Sequence, residues 1–184
     1  MDHATQNYKR FLEGDEGGLV QIIRDHRDGL MLYLNGFVSD LTVAEDLTED
    51  TFLKLVLKKP RFSAHSSFKT WLYTIGRNLA LDYLKRNKRA YVPLDECPEV
   101  IRDEQNLEAI YIQQTNQRIV HHTMKKLKQE YRQVLWLVYF EGFSCAEVGK
   151  IMGKSISNTQ TLVFRARQAL KAKLLEEGFE YENL

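Results

Sequence analysis

The stretch SISNTQTLVFRARQALKAKL carries Ser157, Asn158, Gln160, Thr161, Arg165, Arg167 and Lys171 on its outer side if wound as a helix, with Ile156, Val163, Ala166, Leu170 and Leu174 turned inward. The chemistry open to the outer side chains is hydrogen bonding to nucleic acid. Asn and Gln pair bidentately with adenine, and Arg and Lys reach guanine or phosphate oxygen. A second set lies upstream in SFKTWLYTIGRNLALDYLKRNKR, where Lys69, Tyr73, Arg77, Asn78, Lys85, Arg86, Lys88 and Arg89 accompany Phe68 and Trp71. Rings that stack on bases, at about 1–3 kcal/mol each, and cations that follow phosphates are what single-stranded DNA binding requires. Burial in a core is the competing reading of Phe68 and Trp71. A third set, Glu45, Asp46, Glu49 and Asp50, opens VAEDLTEDTFLKLVLKK. These carboxylates suit the positive end of a helix dipole or a basic partner surface, and their spacing leaves both open.

Nothing in the chain has the spacing of bond-making chemistry. There is no phosphate loop, no H-E-x-x-H and no His/Cys cluster at metal-ligand spacing, so neither a catalytic centre, a metal nor a cofactor is expected. His121 and His122 are adjacent and point about 100° apart on a helix, which suits joint metal binding poorly. His26 falls on an apolar face and reads as a packed residue. Cys97 and Cys145 stand far apart and read as free thiols.

The elements that must position these residues are helices. Leu, Lys, Glu, Ala and Arg are abundant, prolines number three, and no alternating apolar run is flanked by hairpin turns, so the fold is expected to be all-α. Leu19, Ile22, Ile23, Leu30, Tyr33, Leu34 and Phe37 predict one long helix, or two abutting near Gly29. Pro60 ends the acidic helix, a short loop PRFSAHSS follows, and Ser66 or Ser67 caps the aromatic and basic helix. Downstream, Leu127, Tyr131, Val134, Leu135 and Val138 form an apolar face closed by Gly142. Ser144 and Glu147 have the spacing of a capping box, Gly153 supplies a turn, and Ser155 or Ser157 caps the last helix. Two short helices joined by a glycine-containing turn form a helix-turn-helix, whose second helix enters the major groove.

Charge divides the chain further. The net charge of +1 over 184 residues conceals blocks of −6 over 1–57, +8 over 58–91, −5 over 92–117, +8 over 118–174 and −4 over 175–184. Two basic blocks suit two contacts with a polyanion, although solvated helix faces would also carry such charge. The acidic stretch with two prolines predicts a flexible linker at 92–117 between domains at 1–91 and 118–184. A polar start and the lack of an apolar run of about 18–20 residues predict a cytoplasmic protein that does not insert into membranes.

Four segments, AEDLTEDTFLKL, SFKTWLYTIGRNLALDYLKR, LKQEYRQVLWLVYFEGFSCAEVGKIMG and RARQALKAKL, together resemble the bacterial sigma-70 family in its extracytoplasmic-function group. The resemblance implies a region-2 helical bundle and a region-4 helix-turn-helix joined by a flexible linker. It further implies that Asp46, Glu49, Asp50, Phe52 and Leu53 press on the clamp of core RNA polymerase. Residues 61–67, among them Arg61, Phe62, Ser63, His65 and Ser67, would capture a flipped base of the promoter −10 element, with Lys69, Tyr73, Arg77 and Asn78 beside them. Flipping costs a few kcal/mol of stacking and pairing, which a preformed pocket must offset. Lys85, Arg86, Lys88 and Arg89 would hold the duplex just upstream, and the last helix would read the −35 element. Gln160 and Leu162 stand where many relatives carry Lys and Arg. The partners implied are core RNA polymerase, promoter DNA and an anti-sigma factor. The alternative is a helix-turn-helix regulator that binds duplex DNA without joining polymerase.

Overall fold

A computed structural model describes residues 3–60, 62, 66–90 and 115–177, with the side chains of 88–90 and 115–118 outside the description. Helices account for almost all of it, and no strand occurs among the described residues. Of the expected linker, residues 92–114 lie outside the described residues, and the last three already open a helix.

The N-terminal bundle consists of α1 (His3–Leu12), α2 (Glu16–Val38), α3 (Leu41–Lys58) and α4 (Phe68–Ala90). Helix α1 is absent from the expectations above because only Tyr8 and Phe11 give it an apolar face; both are buried. Asp15 starts α2 by accepting from the Gly17 N–H at 2.9 Å, and α2 then runs unbroken through Gly29. Asp40 starts α3 by accepting from the amides of Thr42 and Val43, so the helix opens two residues earlier than its acidic run suggested. It ends at Lys58 because Lys59 turns into the left-handed region (φ 37°) and Pro60 offers no amide hydrogen. Ser67 is the residue that caps α4, its hydroxyl accepting from the Thr70 N–H at 3.2 Å.

The C-terminal half contains α5 (Thr115–Lys125), α6 (Gln129–Leu135), a π-helical turn (Trp136–Phe140), α7 (Cys145–Met152) and α8 (Ile156–Glu176). The expected single helix up to Gly142 therefore widens after Leu135. The Glu141 N–H reaches the Trp136 carbonyl at 3.1 Å, and the widened turn stacks Phe140 on Trp136 with centroids 4.5 Å apart and planes 6° from parallel. Ser144 and Glu147 form the expected capping box at the start of α7. Gly153, in the left-handed region at φ 67°, makes the turn that a Cβ would strain.

Ser155, and not Ser157, caps α8, accepting from the Asn158 N–H at 3.2 Å. This shifts the helix start and corrects one inward residue: Ile156, first in the helix, is 54% exposed. Thr159 and Leu162 are buried in its stead, alongside Ala166 and Leu174. Cys145 is a free, half-buried thiol, and Cys97 lies outside the described residues.

Candidate nucleic-acid and partner surfaces

Helix α3 presents two opposite stripes. Ala44, Leu47, Thr48, Thr51, Phe52 and Leu55 are buried against the bundle. Asp46, Glu49, Asp50, Leu53, Val56 and Leu57 recur every three to four residues on the other side and are exposed. Acid occupies the first half of that outer stripe and apolar carbon the second. Phe52 must therefore be withdrawn from the expected docking set: at 6% exposure it belongs to the core, one helical step (about 100°) from Leu53, which is 49% exposed. Leu57, at 72%, extends the stripe and was missed by sequence reasoning. Glu45 is drawn off the acidic cluster into an ion pair with Arg27 of α2.

At α4 the expected residues divide. Arg61, Ser63 and His65 lie outside the described residues, as do the side chains of Lys88 and Arg89. Phe62 is half-buried, with its ring 5.9 Å from Phe68 and 5.4 Å from Trp71, so Phe68 and Phe62 serve packing here. Asn78, Lys85 and Arg86 are exposed along one face and Arg77 is half-buried.

Ser67, Lys69 and Tyr73, by contrast, meet the C-terminal half. Tyr73 is fully buried, edge-on to Phe143 at 5.1 Å and tilted on Tyr33 at 5.5 Å, which corrects its expected place among DNA-facing groups. The sequence grouped it with the cations and rings of its own helix, whereas the structure packs it between Tyr33 of α2 and Phe143 of the second half. Lys69 pairs with the Glu141 carboxylate at 2.9 Å, donates to the Glu141 carbonyl at 2.8 Å and lies 4.8 Å from the centre of the Phe143 ring. The hydroxyls of Ser67 and Thr70 donate to Glu147 Oε1 at 3.1 and 3.2 Å.

Glu147 is shared between two helix starts. Its other oxygen accepts from the Ser144 N–H at 3.0 Å and the Ser144 hydroxyl at 2.8 Å. Partial burial pushes this carboxyl up, but the bonds from Ser144, Ser67 and Thr70 outweigh burial and hold it below its ordinary 4.5. A depressed folded-state value means that the stabilisation is present above the unfolded value and is lost as pH falls through the folded one. The melting-temperature gap between the native chain and Glu147→Gln is accordingly expected to be widest near neutral pH and to close in acid below pH 4.5. A gap that stays constant across a pH titration of thermal melts would contradict this.

On α8, all seven expected residues, Ser157, Asn158, Gln160, Thr161, Arg165, Arg167 and Lys171, are exposed. Phe164 was missed: it is 61% exposed and stands one turn beyond Gln160 and Thr161 on the same side. Its signal was present in the sequence, as a large aromatic ring outside the inward set. Among the described residues no group of three or more His, Cys, Asp or Glu could hold a metal ion.

These features define a helix-turn-helix protein with a helical bundle that bears an acidic and apolar outer stripe. The Sigma-70 region 2 family matches residues 22–90, and the Sigma-70, region 4 family matches residues 117–170. RNA polymerase sigma factor YlaC of Bacillus subtilis is 28% identical over 164 residues, covering 88% of this chain and 95% of its own. ECF RNA polymerase sigma factor SigW of the same organism is 23% identical over 175 residues, covering 90% and 94%. The fold is shared with the sigma factor RpoE, solved in complex with the anti-sigma factor NepR from Bartonella quintana, at TM-score 0.63 and 23% identity over 84% of this chain and 94% of that one. The chain belongs to the sigma-70 family of RNA polymerase sigma factors, in its extracytoplasmic-function group.

Proposed function

We propose that the chain is an alternative sigma factor that binds core RNA polymerase through the outer stripe of α3 and selects promoters with α4 and α8. The observation that carries this reading is the stripe itself: Asp46, Glu49 and Asp50 followed by exposed Leu53, Val56 and Leu57, on a bundle tied to a helix-turn-helix. A regulator that acts on duplex DNA alone has no use for that stripe. In this reading Asn78, Lys85 and Arg86 follow the −10 strand and the upstream duplex. Asn158, Gln160 and Thr161 face base edges of the −35 element, and Arg165, Arg167 and Lys171 hold phosphates. The partners are core polymerase, promoter DNA and an anti-sigma factor that covers both halves. The work is recognition and opening of DNA, with no bond-making step assigned to this chain. The compartment proposed for this work is the cytoplasm; no helix among the described residues is long and apolar enough to cross a membrane.

The test is reconstitution. Purified chain, core polymerase and a template carrying the promoter of the chain's own operon should give a specific transcript, and the chain should comigrate with core enzyme. Absence of both would end the proposal. Within that assay Asn158→Ala and Gln160→Ala are expected to relax or change the preferred −35 bases, since each good base contact carries about 1–3 kcal/mol of discrimination. Lys85→Ala should weaken all promoters alike and lower the salt slope by about one unit. A uniform loss on every promoter from Asn158→Ala would contradict base reading by that residue.

A further inference from the structure

Helix α1 lies outside both matched regions, the first of which begins at residue 22 and the second at residue 117. Its Tyr8 nevertheless touches both ends of the connection between α3 and α4. The Tyr8 hydroxyl donates to the Pro60 carbonyl at 2.7 Å, just after α3 ends. The same ring packs at 5.0 Å on Phe68, the first residue of α4, and at 5.5 Å on Trp71 one turn later. Phe62, between the two ends, rests on the same pair of rings. Tyr8 itself is 1% exposed.

The brace is fixed from behind. A Cβ on Gly18 of α2 would stand 2.2 Å from the Asn7 carbonyl oxygen and 3.0 Å from the Phe11 nitrogen, so α1 lies on α2 backbone to backbone. Arg10 closes the corner by pairing at 2.7 Å with Asp15, the residue that caps α2. The second half of α1 is thereby held on α2. A buried hydroxyl carried on an element so packed holds its acceptor at a set distance, and burial also pushes the phenol up to about 12, so it is a donor at neutral pH.

From this geometry we infer that Tyr8 is a positioning residue for −10 recognition: it fixes the end of α3 relative to the start of α4 and so sets the span across which the DNA strand is read. The inference rests on the sigma-factor reading of α4. It concerns spacing and not affinity, because Tyr8 is buried and offers no exposed surface of its own for contact.

The test uses the full chain assembled with core polymerase and a pool of single-stranded DNA with a randomised central segment. Native holoenzyme should enrich particular bases at particular positions. Tyr8→Phe keeps the ring and its packing and removes only the hydroxyl. It is expected to reduce that enrichment about five- to tenfold, the size of one buried hydrogen bond, with holoenzyme assembly and duplex selection by α8 unchanged. Ile22→Val, which takes one buried methyl group from α2, serves as the stability control. It should lower the melting temperature and leave base enrichment as it is. Enrichment by Tyr8→Phe equal to that of native holoenzyme would overturn the inference while leaving the sigma reading intact. If native holoenzyme enriches no sequence at all, the reading of α4 fails and this inference fails with it.

Discussion

Replacing Leu53 and Leu57 together by aspartate is expected to reduce affinity for core polymerase by at least about 100-fold, measured by titrating labelled chain with core enzyme. Each fully buried leucine contributes about 1.5–3 kcal/mol at an interface. Two of them, partly shielded already, account for roughly 3 kcal/mol, and the introduced carboxylates add a desolvation cost. The folded chain should hardly notice, because these side chains are 49% and 72% exposed. Phe52→Ala provides the contrast: it opens a cavity beneath α3, costs about 3–5 kcal/mol of stability and lowers binding only through unfolding. Full affinity in the double leucine variant, with its melting temperature unchanged, would remove α3 from the docking surface.

Gly149→Val is expected to disable the helix-turn-helix with comparable force. A Cβ at Gly149 would already meet the Lys154 carbonyl oxygen at 2.8 Å and the Thr159 hydroxyl at 3.2 Å, and backbone cannot swing aside as a flexible side chain would. Thr159 is held in turn by donating to the Ser155 carbonyl at 2.9 Å. Valine must therefore push α8 away from α7 or unwind the turn, at about 1–3 kcal/mol, the usual cost of overpacking. Selective binding of a duplex −35 site should fall more than tenfold, and hydrogen exchange should quicken in α7 and α8 before it does in α2 or α3. Retention of both native exchange and native duplex selection would show that the two helices tolerate the extra width.

What the sequence disclosed was mostly local. The Ser144 and Glu147 capping box spans three residues and needs no tertiary knowledge, and the outward set on α8 follows from helical period once the buried stripe is roughly placed. Helix α3 shows where periodicity gives out. Phe52, Leu53, Leu55, Val56 and Leu57 are all apolar, so two stripes compete for the inside, and only the partner helices decide that Phe52 and Leu55 take it. Tyr73 was misplaced for a longer-range reason, since its cover comes from Tyr33, forty residues back, and Phe143, seventy residues further along the chain. The π-helical turn brings Phe140 onto Trp136, a contact between rings that residue types alone do not announce. Helix α1 has too few apolar positions to register as a pattern, yet it carries the tyrosine that grips the ends of two other helices.

The start of α4 has one more property. Lys69, Ser67 and Thr70 all direct their donors at carboxylate oxygens, those of Glu141 and Glu147. An ammonium and two hydroxyls that hold a carboxylate satisfy a phosphodiester oxygen by the same bonds, for the acceptors share charge and reach. In the folded chain, two glutamates from the C-terminal half take up the donors that Lys69, Ser67 and Thr70 present. Parting the two halves would therefore leave an ammonium and two hydroxyls at the start of α4 without the acceptors that now hold them.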